Sequence, residues 1–147
     1  MSNELIFRRQ LTQLAEEYGL ELLVFAENEM ALRGYGYLLI FHIYQGSVMV
    51  FYSRLLADGT TQAWDIDRDF TETVTAEDRI GVVKPITGYD EVNAEFYVIA
   101  RTLRRAWKDL LRGETAWMQD SSRIKTMKTT NFFREAFLDQ VGNLLRQ

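Results

Sequence analysis

The chain has no cysteine, one histidine (His42) and one proline (Pro85) in 147 residues. Without cysteine there is no disulfide, no thiolate nucleophile and no Cys-ligated zinc or iron–sulfur site. A lone imidazole removes every site that needs two. It also leaves His42 as the sole base for a Ser-His-Asp arrangement, and no Gly-x-Ser-x-Gly elbow accompanies it. Long apolar runs are missing as well. Tyr37–Phe41 is typical of those present, far below the roughly 18 residues a membrane-spanning helix needs. The opening Met1-Ser2-Asn3-Glu4 leads to Arg8-Arg9 with no apolar stretch behind it, as a secretory signal would require. These absences set the expectation of a soluble cytoplasmic protein with no membrane association. A basic excess is also lacking: the net charge is −4, which argues against a nucleic-acid binder.

What is present suffices for a packed core, since 47% of the residues are hydrophobic and 13% aromatic. No repeat, low-complexity tract or Gly/Ser/Pro-rich linker interrupts the chain, so residues 1–147 read as a single domain. Leu11, Leu14, Ala15 and Tyr18 recur at helical spacing and predict a helix over Asn3–Tyr18, stopped by Gly19. Strand signals follow over Leu20–Ala26, Met30–Arg33, Tyr35–Tyr44, Ser47–Leu56 and Thr60–Ile66, with turns at Glu27-Asn28-Glu29, Gln45-Gly46 and Asp58-Gly59. The result is an antiparallel meander of four or five strands. Tyr35–Tyr44 is apolar on both faces, which requires cover on both, from helices or from another protein. Asp65–Asp78 reads as a polar, acidic connection ending in a short helix, with Thr75 as its cap and Asp78 three residues on. Lys84-Pro85 breaks the chain. A helix over about Asp90–Arg112 buries Val92, Phe96, Ile99, Leu103, Trp107 and Leu110. Glu114–Thr130 gives no clear pattern, although Trp117, Met118, Ile124 and Met127 must pack. A last helix spans Asn131–Leu145, burying Phe133, Phe137, Val141 and Leu144. The fold class is therefore α+β: an N-terminal helix, an antiparallel meander, and C-terminal helices packed on the sheet.

Few residue constellations carry chemistry. Asp65-Ile66-Asp67-Arg68-Asp69 has the alternating carboxylates that open a calcium loop, but Phe70 and Ala76 stand where the loop needs glycine and a bidentate glutamate. No metal and no other cofactor is expected. Gly34-Tyr35-Gly36 lacks the third glycine of a dinucleotide loop and leads into a strand instead of a helix. His42, inside an apolar strand, fits a hydrogen-bonded core or interface residue. Charge is the sharper feature. Residues 1–100 carry a net −9 and residues 101–147 a net +5. The acidic side chains crowd around Asp65, Asp67, Asp69 and Glu72, which are the candidate partner-binding residues. The basic ones, Arg101, Arg104, Arg105, Lys108 and Arg112, share a helix face; with Arg123, Lys125 and Lys128 some could meet an acidic partner. They could equally complement the acidic region within the molecule or across a homodimer.

Leu11-Thr12-Gln13-Leu14-Ala15-Glu16-Glu17-Tyr18-Gly19-Leu20, followed by Phe25-Ala26-Glu27-Asn28-Glu29 and a strand pair, resembles the start of type III secretion chaperones. The resemblance covers about the first 55 residues. It implies an acidic homodimer that holds an unfolded effector segment, but that family expects a further strand pair where helices follow here. In size, acidity, lack of cysteine and α+β pattern the chain also resembles bacterial immunity proteins paired with contact-dependent inhibition toxins. That resemblance implies a non-catalytic protein that occludes a cognate toxin, with Asp65, Asp67, Asp69 and Glu72 opposing the toxin's basic groups. Neutralising a toxin in this way is the expectation carried forward. An effector chaperone is its alternative, and a small-ligand or enzymatic pocket holding His42 is a third.

Overall fold

The first helix, α1, spans Asn3–Tyr18, as the spacing predicts. Ser2 caps it by accepting a hydrogen bond from the Leu5 amide at 3.2 Å, and Gly19 ends it at φ 66°, a conformation that favours glycine. A computed structural model describes residues 2–82, 88–119, 128–130 and 132–147. Five strands follow α1 as a meander: β1 (Glu21–Ala26), β2 (Glu29–Gly34), β3 (Tyr37–Tyr44), β4 (Ser47–Leu55) and β5 (Thr61–Asp65). A two-residue β6 (Lys128–Thr129) extends the sheet beyond β5. Gln45 and Gly46, at φ 50° and 81°, form the two-residue turn between β3 and β4.

The strand pattern decides the layers. Leu39, Phe41 and Ile43 of β3 and Val48, Val50 and Tyr52 of β4 point to one face, and Leu38, Ile40 and Phe51 to the other. Both sets are buried, so both faces are covered by the chain's own helices. The first face carries α1 and α3 (Gly88–Ala106), whose Phe7 and Phe96 close on Phe41 with ring centroids 5.6–6.0 Å apart. The second carries α5 (Glu135–Leu145), seated through Val141 and Leu145, with Phe133 just ahead of it. Burial of each such side chain contributes about 1.5–3 kcal/mol.

Several elements differ from the sequence reading: Tyr35-Gly36 is the turn before β3 instead of its start, and the last helix begins at Glu135 instead of Asn131. The segment after β5 is not a plain connection: Asp67–Thr73 forms α2, followed by a 3-10 turn at Ala76–Arg79 whose Thr75–Asp78 capping box is as expected. The long basic helix is divided at Trp107 (φ −124°, ψ 31°) into α3 and the single turn α4 (Lys108–Leu111). Trp107 leaves helical geometry with its ring fully buried against Phe70 and Trp117, and its indole N–H donates to Thr73 Oγ1 at 2.8 Å. Ile124, Met127, Arg123, Lys125 and the Lys84-Pro85 break lie outside the described residues. Among the described residues no helix is long and apolar enough to cross a membrane.

The basic face of α3 is spent largely inside the molecule. Arg104 grips Glu17 of α1 through two bonds of 3.1 Å. Arg105 binds both oxygens of Asp78 at 2.9 and 2.7 Å, and Asp78 also accepts from Thr102 Oγ1 and the Thr75 amide, both at 3.0 Å. Asp78 is only 2% exposed, and its Arg105 partner holds its carboxyl well below the usual range. A depressed carboxyl stabilises the fold above its unfolded-state value near pH 4, and that contribution disappears as pH falls toward the folded value. Asp78→Asn is therefore expected to lower the unfolding free energy by about 2–4 kcal/mol at pH 7. Urea titrations should show this difference from the native chain narrowing steadily below about pH 4.

Candidate functional site

The four candidate acidic residues do not form one open patch. Asp65 ends β5, and its Oδ1 accepts the Asp67 amide at 3.0 Å. Asp67 Oδ1 in turn accepts the Val50 amide at 3.0 Å, fastening the start of α2 to β4. Asp69 is buried, at 3% exposure. Glu72 alone stands in solvent, its side chain 62% exposed and 3.6 Å from Arg68 one turn earlier. Residues 67–73 coil into a helix, and within it Asp69 is buried while Glu72 is exposed. Among the described residues no group of three His, Asp or Glu side chains is placed to hold a metal.

The acidity gathers instead around a cleft of about 370 Å³ between the Gln45-Gly46 turn, the 3-10 turn and the first half of α3. Glu91 and Glu95, one turn apart on α3, line it, and Arg79 is the one cation among its described lining residues. Glu91 lies so close to Gly46 that any side chain there would collide with its carboxylate. Burial pushes the Glu95 carboxyl upward; Arg79 opposes that rise and Asp67 adds to it. Asp67 is likewise raised, first by burial and then by Asp65, against the pull of the Val50 amide. Carboxylates held near one another and partly desolvated are unstable as anions, and a cation entering between them relieves both effects. Sequence reading missed Glu91 and Glu95. The available signal was a like-charged pair at i and i+4 on a helix, which is unfavourable unless something else uses it.

His42 lies at a second cleft, of about 500 Å³, on the α5 side of the sheet. Its Nδ1 is 3.3 Å from Oε1 of Glu29, its direct neighbour on β2, and its ring meets the edge of Phe132 at 4.9 Å. The register of the hairpin about Tyr35-Gly36 sets that pairing, so the partner was readable from the turn. Among the described residues His42 Nδ1 has no hydrogen-bond partner, so Glu29 lies near the imidazole without fixing its orientation as a triad carboxylate would, and no serine, threonine or cysteine is among the described lining residues.

Comparison with protein-family models, with curated proteins and with solved structures gives no match.

The strained carboxylates have a measurable signature. A carboxyl raised on folding favours the native state at low pH, and that advantage is lost as pH rises through its folded value. Removing the charges while keeping the shapes, by Asp67→Asn with Glu95→Gln, should raise the urea midpoint at pH 7. The gain should shrink as pH falls into and below the ordinary carboxylate range.

Proposed function

We propose that the chain is a non-catalytic protein that binds another protein stoichiometrically, and that it acts as an immunity protein, occluding a cognate toxin. The supporting observation is the cleft beneath the Gly46 turn, where Glu91 and Glu95 face a single described cation and Asp67 adds its charge from behind. A lysine or arginine of the partner would enter this cleft and replace the missing counter-charge. Glu72, exposed on α2, adds to the negative field that draws such a partner in. Asp65 and Asp67 then act mainly by fixing the start of α2, Asp67 also raises Glu95, Asp69 is buried, and Glu72 is the member of that set displayed to solvent. Charge of this kind sets association rate and partner choice, and apolar anchors supply most of the affinity. The chaperone alternative drew on open apolar strand faces, and both faces of this sheet carry helices.

The test begins with affinity capture from the native host and quantitative binding of the protein recovered. Glu72→Gln, Glu91→Gln and Glu95→Gln together should weaken binding by roughly tenfold or more and flatten its dependence on salt. The partner expressed alone should arrest growth, and co-expression of this chain should restore it. Unchanged affinity in the triple variant would rule out the acidic cleft as the docking point; a harmless partner would rule out the immunity role.

A further inference from the structure

The cleft at His42 lies on the α5 face of the sheet and takes no part in the protein-binding reading. Its volume of about 500 Å³ falls within the roughly 300–1,000 Å³ of small-molecule sites. One wall is the sheet, with Glu29 on β2 directly beside His42 on β3. The other is the start of α5, which brings Arg134, Phe137 and Gln140. Phe132 also lines the cleft and stays 47% exposed, although one side of its ring stacks on Phe51 at 4.9 Å. Aromatic surface with a few converging polar groups is the usual make-up of a ligand pocket.

The polar groups of this cleft are not used by the fold. The Glu29 side chain is only 25% exposed, yet among the described residues no donor bonds its carboxylate. His42 Nδ1 comes within 3.3 Å and makes no hydrogen bond. Arg134 precedes α5 without a side-chain capping bond, and its guanidinium has neither an ion pair nor a hydrogen bond among the described residues. The Gln140 carboxamide is likewise unengaged there. Elsewhere the chain joins such groups to each other, as Arg104 to Glu17 and Arg105 to Asp78. A three-quarters-buried carboxylate without a donor is costly, and a molecule that supplies one removes that cost.

The charges on the two walls narrow the choice of ligand. A simple cation satisfies Glu29 and is repelled by Arg134, and an anion such as phosphate meets the reverse. A wholly apolar molecule packs on the phenylalanines but strips water from Glu29 without replacing it. A molecule with both charges and an apolar body meets all three conditions. We infer that the cleft binds a small zwitterion, an α-amino acid with an apolar side chain. Its ammonium donates to Glu29, its carboxylate accepts from Arg134, and its side chain packs on Phe132 and Phe137. His42 adds its ring to the wall, edge-on to Phe132 at 4.9 Å. The bound molecule joins β2 to the start of α5 and so stabilises the folded chain. This site is separate from the acidic cleft and does not depend on the protein-binding reading.

The test uses the whole chain and a ladder of probes: phenylalanine, phenylethylamine (no carboxylate), phenylpropionate (no ammonium) and glycine (no apolar body). In NMR titrations at millimolar concentration, phenylalanine should shift Glu29, His42, Phe132 and Phe137, and it should raise the melting temperature. Each of the other three should bind about tenfold or more weakly. Arg134→Gln, at an exposed position, should keep the fold and erase the preference for phenylalanine over phenylethylamine. Glu29→Gln should erase the preference over phenylpropionate, and if that variant does not fold the probe ladder on the native chain decides. Absence of shifts in the cleft, shifts centred elsewhere, or equal binding of phenylalanine and its one-charge analogues would each overturn the inference.

Discussion

Everything else in this molecule follows from a central strand pair, β3 and β4, that buries side chains on both faces. Such a pair cannot be left half-covered in water, because each exposed aromatic or branched residue forfeits a stabilising contribution of about 1.5–3 kcal/mol. The chain meets the requirement by wrapping the meander from both ends of its sequence. The N-terminal α1 joins α3 over one face, and the C-terminal α5 closes the other. With both faces occupied, what remains for partners is what the helices do not reach: the outer edge of β1, the cleft at His42 beyond the start of α5, and the gap beneath the Gly46 turn.

Electrostatics then sort the acidic side chains into two groups. Glu17 and Asp78 are answered by Arg104 and Arg105, so the basic helix face serves mainly to tie α3 to its neighbours. A bidentate guanidinium–carboxylate pair with one partner almost wholly buried holds a geometry as well as a charge. Asp67 and Glu95 belong to the other group. Burial disfavours both ionised forms; Asp65 adds to this at Asp67, and at Glu95 Asp67 adds to it while Arg79 partly offsets it. Sites that are locally unfavourable in an otherwise satisfied structure are where function is first sought.

Much of this was legible in the sequence. Helical spacing and Gly19 define α1, and the two-residue turn at Gln45-Gly46 fixes the register of β3 against β4. The two-faced apolar pattern of β3 requires two covering layers. The capping box at Thr75 and Asp78 was readable from three-residue spacing. What escaped was whatever depends on contacts between distant segments. Nothing local to 65–73 shows that Asp67 will meet the Val50 amide, or that Asp69 will be buried while Glu72 is not. The break at Trp107 is equally tertiary: its cause is a ring packed on Phe70 and Trp117, and both of those partners lie on other elements. Glu91 and Glu95 were hidden for a simpler reason, since charged residues on a helix face ordinarily point to water.

In the free chain Glu95 is held partly desolvated and repelled by Asp67, and Asp67 is held by burial and Asp65; on the proposed reading a cation of the partner enters beside Glu95. Carbon-detected NMR titration of their side-chain carboxyls, free and partner-bound, measures this directly. The account predicts that both titrate above the ordinary carboxylate range in the free chain and fall when the partner binds. Ordinary values in the free chain, or raised values unmoved by the partner, would contradict it.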